Sequence, residues 1–370
     1  MVRMMIAPNR YVQGPRVLAD IARYVNHLGT SVYFIAGNSA WSVVKDAVSQ
    51  SLNENSISFE RGSFKGLCTR AAAARLSEEA RSLGAQTVAG VGGGAVIDVA
   101  KAVSHELGTN LVIIPTVASS DAPCSALSVQ YNEDHVIDRF LKLTRNPDVV
   151  LVDSQIISEA PTRFFVAGMG DALATWFEAN TCTKSSAPNV PGGLSTAAAL
   201  SLARLCYDTL MEYGESAKLA VDQKALTPAV ERVIEANILL SGLGFESGGL
   251  SSAHGIHEGL VALEETKGMM HGELVAFGAI SLMVLENYPR TEIDRVVSFC
   301  ITVGLPVTLR QLGIDRTARE RVEKAARLAC AEGLTTHNTY FTVDPDLVLG
   351  AILGADALGE QKLASVGTGK

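Results

Sequence analysis

The sequence predicts a two-part chain, an α/β half built on a parallel sheet with helices followed by an all-α half, and three observations carry that expectation. Over the first ~155 residues short β-rich runs alternate with helical stretches, as strands joined by crossover helices require. A strand, three consecutive glycines and a helix succeed one another between Thr87 and Lys101. From about Ala160 strand-like runs vanish, and Ala, Leu, Glu and Met recur at helical spacing. The division is therefore expected at residues 1–158 and 159–370.

In order along the chain, strands are expected at Ser31–Ala36, Thr87–Val91, Asn110–Ile114 and Asp148–Val152. Their near-continuous apolar character suits a sheet covered on both faces. Thr69–Leu83 and Ala95–Leu107 have helical composition and end before Gly84 and Gly108, each a glycine stop. Ser125–Val129 and Arg139–Leu143 read as a pair of short strands inserted before the last sheet strand. Pro161 marks the junction. Beyond it Thr196–Tyr213, Pro228–Gly242 and Glu273–Asn287 each carry one apolar stripe, so packed helices are expected. No internal repeat and no low-complexity linker is visible.

Composition narrows the function classes. Of the 370 residues 47% are apolar and only 19% charged, enough to fill a large core and to suggest an oligomer that buries part of its surface. The formal charge is −8 and no basic cluster stands out, which argues against nucleic acid as a partner. Six cysteines lack Cys-x-x-Cys spacing and read as reduced thiols of a cytoplasmic protein. Neither a signal peptide nor a run long enough to span a membrane is evident.

The segment Gly90-Val-Gly92-Gly93-Gly94-Ala-Val-Ile-Asp98 lets backbone approach a diphosphate, with the unpaired N–H groups of the next helix behind it. The spacing is not Gly-x-Gly-x-x-Gly, and such a turn also occurs without a ligand. The following strand shifts the balance, because Thr116-Val-Ala-Ser119-Ser120-Asp121 is a hydroxyl-rich loop at its carboxyl end, where ligands bind in parallel sheets. Asp121 in that loop reads as more than a turn residue.

Four other residues stand in Gly/Ala-rich, apolar surroundings: Asp171, His254, His257 and His271. Buried polar groups need partners, and a divalent metal is an economical one. Asp171, near the start of an expected helix through Trp176, together with His254 and His271 forms a three-ligand set with an open position. Small neighbours allow helices to converge on an ion. His257, three residues after His254, reads as an orienting group or a proton relay. His27, His105 and His135 read as solvated, and His337 as a residue that lines the cleft.

These residues sit in longer strings: Gly-Val-Gly-Gly-Gly at 90–94, Ser-Asp-Ala-Pro-Cys-Ser-Ala-Leu-Ser-Val at 120–129, Gly-Asp-Ala-Leu-Ala-Thr-Trp-Phe-Glu-Ala at 170–179 and Leu-Ser-Gly-Leu-Gly-Phe-Glu-Ser-Gly-Gly-Leu at 240–250. With them the chain resembles the glycerol dehydrogenases, members of the iron-containing (type III) metal-dependent alcohol dehydrogenase superfamily, over nearly its whole length. The resemblance implies the dehydroquinate synthase-like fold of that superfamily, with a dinucleotide-binding α/β domain, a helical metal-binding domain and the active site in the cleft between them. It makes Asp171, His254 and His271 ligands of Zn2+, Fe2+ suiting the same donors, and gives Asp121 a substrate hydroxyl beside the metal. It also implies cofactor contacts from Gly93, Gly94, Asp98, Thr116, Ser119, Ser125, Leu127 and Tyr131, and a homo-octamer.

Three departures bear on the cofactor and substrate. Ala95-Val96 stands where the family usually has Lys-Thr, and Gly37-Asn38 where an acid would bond the adenosine ribose, so NADP joins NAD as a candidate cofactor. Leu274 and Leu334 replace an expected Lys and Glu. The expected activity is hydride transfer between a small polyol, glycerol foremost, and NAD(P), with zinc as Lewis acid. The alternatives are NADPH-dependent reduction of a small 2-oxo acid at the same site and, from another class, a non-haem iron oxygenase.

Overall fold

The computed structural model describes residues 2–132, 137–315 and 318–367, and the chain divides into two compact units. The first holds Ile6–Phe165 together with Ala220–Gly242. Its strands are β1 (Tyr11–Gly14), β2 (Ser31–Ala36), β3 (Ser58–Ser63), β4 (Thr87–Gly92), β5 (Asn110–Pro115), β6 (Leu127–Tyr131), β7 (Ile137–Lys142) and β8 (Val149–Asp153). Six of them form one parallel sheet in the order β1-β8-β5-β4-β2-β3. β6 and β7 pair antiparallel, Leu127 opposite Lys142, as the expected insertion.

The four anticipated sheet strands are the central ones. β4 and β8 are buried at every residue, which explains their unbroken apolar runs. β1 and β3 were not anticipated. They are the edges, and β3 (Ser58-Phe-Glu-Arg-Gly-Ser63) alternates exposed polar with half-buried residues, leaving no apolar run to read. One sheet face packs on Val44, Val48 and Leu52 of the helix Asn38–Glu54, with Phe34 against Trp41 and Phe59 at ring-centroid distances of 5.3 and 6.0 Å. On β4, a Cβ at Gly90 would come within 2.6 Å of the Ala100 methyl, so the helix Gly94–Leu107 lies directly on the strand.

The sheet-bearing unit runs to Phe165, and Ala220–Gly242 packs with it. Side-chain bonds hold that segment. Gln13 Nε2 donates to the Glu231 carbonyl (2.8 Å) and carboxylate (2.6 Å), and Asn237 Nδ2 to the carbonyls of Ala118 and Phe165 (both 3.1 Å). The single helix expected over Pro228–Gly242 is Pro228–Glu235, a π turn Ala236–Leu240 and a continuation Ser241–Gly248.

The other unit is helical, and no strand follows Asp153 among the described residues. Its main elements are Thr162–Ser185 from Val166 onward, Ala197–Asp222 up to Leu219, Ser252–Val261, His271–Leu285, Arg290–Val303, Arg319–Ala329 and Pro345–Gly367. Asp171 lies deep inside the first of these, not near its start. The helix begins directly after Pro161, and Gly168 and Gly170 continue it. Their sequence signal reads as a break, yet Gly170 is there for space. A Cβ on it would overlap the Gly272 carbonyl, and one on Gly272 would overlap the Ala167 carbonyl. A Cβ on Gly278 would likewise overlap the Ala253 carbonyl. Three helices thus meet backbone to backbone, which the small residues around Asp171, His254 and His271 anticipate.

Candidate active site

In the helical unit, Asp171, His254 and His271 each offer one ligand atom, and these atoms lie within 4.8 Å of one another. Asp171 Oδ1 is 3.1 Å from His271 Nε2 and 3.6 Å from His254 Nε2. Each imidazole is oriented from behind. His254 Nδ1 is 2.6 Å from Glu178 Oε2, while Glu178 Oε1 accepts the backbone N–H groups of Ser251 and His254, both at 2.9 Å. His271 Nδ1 lies 3.0 Å from His257 Nε2. With both Nδ1 atoms engaged, both Nε2 atoms are left to face the same carboxylate oxygen. Side-chain exposure rises from 1% at Asp171 through 15% at His254 to 42% at His271, so the set is closed on one side and open on the other.

The charge pattern suits a cation. Burial works against an ionised Asp171, but His271 and His254 outweigh it and hold the carboxyl below the usual carboxylate range. Burial also disfavours a charged His254, yet the Glu178 carboxylate, with Asp171 behind it, keeps its pKa well above that of a free imidazole. His257 goes the other way. Burial and then the neighbouring His271 push it down to about 4, so it stands neutral beside the cluster, its Nδ1 3.5 Å from Glu258 Oε1. Two buried carboxylates around imidazoles call for positive charge, and one carboxylate with two imidazole nitrogens is a donor set that fits a divalent ion.

Glu178 escaped the sequence reading. Seven residues after Asp171 it returns to the same face of one helix, and a glutamate in so apolar a stretch was the available signal. His337 is exposed, with Nε2 3.1 Å from the Cys330 carbonyl, and it takes no part in the Asp171 cluster. His27 and His105 are exposed as anticipated, and His135 lies outside the described residues.

The sheet-bearing unit carries the glycine turn. Gly92 ends β4 at φ +151°, a conformation that favours glycine, and a Cβ there would press within 3.0 Å of the Val96 side chain. Gly93 and Gly94 have no such need. At Gly93 a Cβ would meet nothing closer than Val117 at 3.4 Å, and at Gly94 nothing closer than Ser120 Oγ at 4.0 Å. The room left beside the first turn of the helix Gly94–Leu107 fits a diphosphate. The turn sits where the winding reverses, since β3 lies to one side of β2 and β4 to the other. Thr116 and Ser119 follow the adjacent strand, the Thr116 N–H donating to the Gly92 carbonyl (3.2 Å).

The remaining expected cofactor residues are joined by a group not anticipated. Lys101 is fully buried, and its Nζ donates to the carbonyls of Ala122 (2.6 Å) and Leu127 (2.8 Å) and to Ser125 Oγ (2.9 Å). It fixes the loop from Asp121 to β6. Within that loop Asp121, itself buried, accepts at Oδ2 from Ser241 Oγ (2.7 Å). Asp98 is buried one turn into the helix, where its carbonyl accepts from Ser128 Oγ (2.9 Å), and Tyr131 is half-buried at the end of β6.

The iron-containing alcohol dehydrogenase family matches residues 8–154. Over 364 residues the chain is 45% identical to the glycerol dehydrogenase of Citrobacter freundii, covering 98% of this chain and all of that one. The chain belongs to the glycerol dehydrogenase family. A solved structure of a probable glycerol dehydrogenase from Sinorhizobium meliloti superposes with a TM-score of 0.92 at 41% identity, covering 97% of this chain and all of the other. The glycerol dehydrogenase structure from Schizosaccharomyces pombe gives 0.95 at 33% identity, covering all of this chain and 94% of that one. As a glycerol dehydrogenase family member the chain is an alcohol-type oxidoreductase, and the oxygenase alternative falls. No helix among the described residues is long and apolar enough to cross a membrane.

Proposed function

We propose that the chain oxidises glycerol, or a closely related small vicinal diol, to the hydroxyketone, with dihydroxyacetone as the product from glycerol. The substrate carbon gives its hydride to the nicotinamide of NAD(P)+ and the hydroxyl proton leaves to solvent. The observation that carries this reading is the convergence of His254 Nε2 and His271 Nε2 on Asp171 Oδ1, each ring fixed by its Nδ1 contact. A divalent ion held by these three residues, Zn2+ or Fe2+, supplies Lewis-acid polarisation of the substrate hydroxyl.

The chain's own residues do the rest. Glu178 sets the His254 ring, and the neutral His257 sets that of His271. Asp121, steadied at Oδ2 by Ser241, takes a substrate hydroxyl. Gly93 and Gly94 admit the pyrophosphate, and Lys101 keeps Ser125 and Leu127 in place for the nicotinamide end of the cofactor, with Asp98, Thr116, Ser119 and Tyr131 as further contacts. Six free cysteines, five of them buried, support a reducing cytoplasm. Exposed Leu205 and Leu219 support assembly as a homo-oligomer, an octamer as in relatives.

A screen of glycerol, other diols and 2-hydroxy acids against both dinucleotides, on protein stripped of metal and reconstituted with Zn2+ or Fe2+, tests the reading. Glycerol turnover that disappears with the metal and returns with it is the expected result. Turnover of hydroxy acids alone would replace the substrate assignment, and full activity without metal would overturn the mechanism.

A further inference from the structure

The π turn Ala236–Leu240 grips the loop that follows β5. Such turns interrupt a regular helix and recur at functional sites. Three contacts make the grip. Asn237 Nδ2 donates to the Ala118 carbonyl (3.1 Å), and Ser241 Oγ donates to Asp121 Oδ2 (2.7 Å). Gly242 lies so near that a Cβ on it would come within 3.1 Å of the Asp121 carbonyl oxygen and 2.9 Å of the Cys124 Cβ. Asn237 and Ser241 are four residues apart and share a helix face. The second Nδ2 bond of Asn237 goes to the Phe165 carbonyl, also at 3.1 Å.

Asn237 is fully buried, and with Nδ2 committed to two carbonyls its Oδ1 has no donor among the described residues. A buried acceptor left unmet destabilises a fold. A side chain kept for packing alone would avoid that, so the two N–H bonds are what the position retains. The bond to Ala118 has a directional consequence. A trans peptide carries its C=O and the following N–H on opposite sides, so an Ala118 carbonyl turned in to Asn237 turns the Ser119 N–H out. That N–H makes no hydrogen bond among the described residues. Ala118 is buried, whereas Val117, Ser119 and Ser120 are half-buried. Val117 and Ser120 are also the side chains that a Cβ on Gly93 or on Gly94 would meet first. The outward side of the loop therefore borders the room at the glycine turn.

We infer that Asn237 is a positioning residue for the dinucleotide: by holding the Ala118 carbonyl it presents the Ser119 N–H as a donor to the cofactor's diphosphate. This deepens the proposed function and rests on its reading of Gly93–Gly94 as the pyrophosphate cradle. An N–H that meets an anionic oxygen forms a charge-assisted bond, and one fixed in advance gives up no freedom when the ligand arrives. Asn237 itself touches neither substrate nor cofactor. It acts through one peptide group.

The test compares Asn237→Ala with Val233→Ala, which removes buried side-chain volume from the helix before the π turn and leaves the Ala118 bond in place. Asn237→Asp keeps the shape without the amide N–H groups, and is the variant to read should the alanine chain not fold. Calorimetric titration of the full chain with NAD+ and with ADP, both of which carry the diphosphate, should show each binding at least about tenfold more weakly to the Asn237 variant (about 1.4 kcal/mol). In turnover of the metal-loaded enzyme the dinucleotide KM should rise by the same factor with kcat little changed, because the diphosphate does not react. Val233→Ala should bind both ligands as the parent does. Unchanged affinity in the Asn237 variants would overturn the inference, as would an equal loss in Val233→Ala. A loss for NAD+ alone would put the donor at the nicotinamide end and refute the diphosphate contact. If the parent binds neither ligand, the cradle reading fails and takes the inference with it.

Discussion

Glu178 Oε2 meets His254 Nδ1 at 2.6 Å, on the ring edge away from Asp171, while Glu178 Oε1 holds the N–H groups of Ser251 and His254. One buried carboxylate thus selects the imidazole tautomer and anchors the start of the helix that bears it. Glu178→Gln cannot serve both ends. Its amide must offer N–H either to Nδ1, which selects the wrong tautomer, or to two backbone N–H donors. We expect metal affinity to fall by about 10–100-fold, the usual effect of removing an outer-sphere partner, or the melting temperature to drop where the amide takes the other orientation. Zinc titration with a competing chelator, run beside thermal melts, reads both. No change in either would refute the positioning role.

Asp171 supplies the only carboxylate of the three-residue set. Asp171→Ala is expected to abolish stoichiometric zinc or iron, measured by elemental analysis, together with glycerol turnover. Dinucleotide affinity should persist, because the glycine turn belongs to the other compact unit. A metal-free variant that still turns over would remove the basis of the mechanism.

Lys101→Met would leave the carbonyls of Ala122 and Leu127 and the Ser125 hydroxyl short of a donor in a buried place. The Ala122 carbonyl keeps the Ser125 N–H and hydroxyl as donors, so the loss falls mainly on the Leu127 carbonyl, and denaturant titration should show a loss of about 1–3 kcal/mol. Dinucleotide affinity should fall as well, with metal content intact. Unchanged dinucleotide binding would show that the Asp121–Leu127 loop does not depend on this ammonium.

Gly170→Ala tests the backbone contact between helices. The added methyl overlaps the Gly272 carbonyl, and relief requires the helices Thr162–Ser185 and His271–Leu285 to part. A cost on the order of 2 kcal/mol or more is expected from overpacking, with weaker metal binding because Asp171 and His271 ride on those helices. A variant as stable as the parent would mean that the contact is looser than described.

Glu286 gives a pH signature. Burial raises its carboxyl pKa, only partly offset by the Thr181 hydroxyl and by Lys184 Nζ at 4.0 Å. An acid whose pKa is raised by folding adds stability that is complete below its unfolded pKa of about 4.3 and is lost as pH climbs through the folded value. Glu286→Gln should therefore stabilise the chain at neutral pH and lose that advantage in acid. Thermal melts from acid to neutral pH would show it, and a variant less stable than the parent at neutral pH would contradict it.

Legibility followed burial. β2, β4, β5 and β8 announced themselves because a doubly covered strand has no polar residues to interrupt it, whereas β1 and β3 were silent because an edge strand must stay polar. Asp171, His254 and His271 stood out as chemistry in apolar, small-residue surroundings, and the structure gathers them. Glu178 and Lys101 passed unread: Glu178 carried the same kind of signal one helix face along from Asp171, whereas the partners of Lys101 are mostly backbone carbonyls, which no residue type records. The start of the helix that bears Asp171 was placed too late for a related reason. Glycine signals a break to its own helix, but at Gly170 its purpose is the helix opposite.

The contact of Gly170 and Gly272 has an evolutionary corollary. Where two main chains touch, the spacing of the groups they carry is set by the peptide framework, not by interchangeable packing residues. Substitutions at other positions around the three-residue set can then retune what is accepted without disturbing the donor geometry. Libraries seeking new specificities should leave these glycines fixed and vary the surrounding loops.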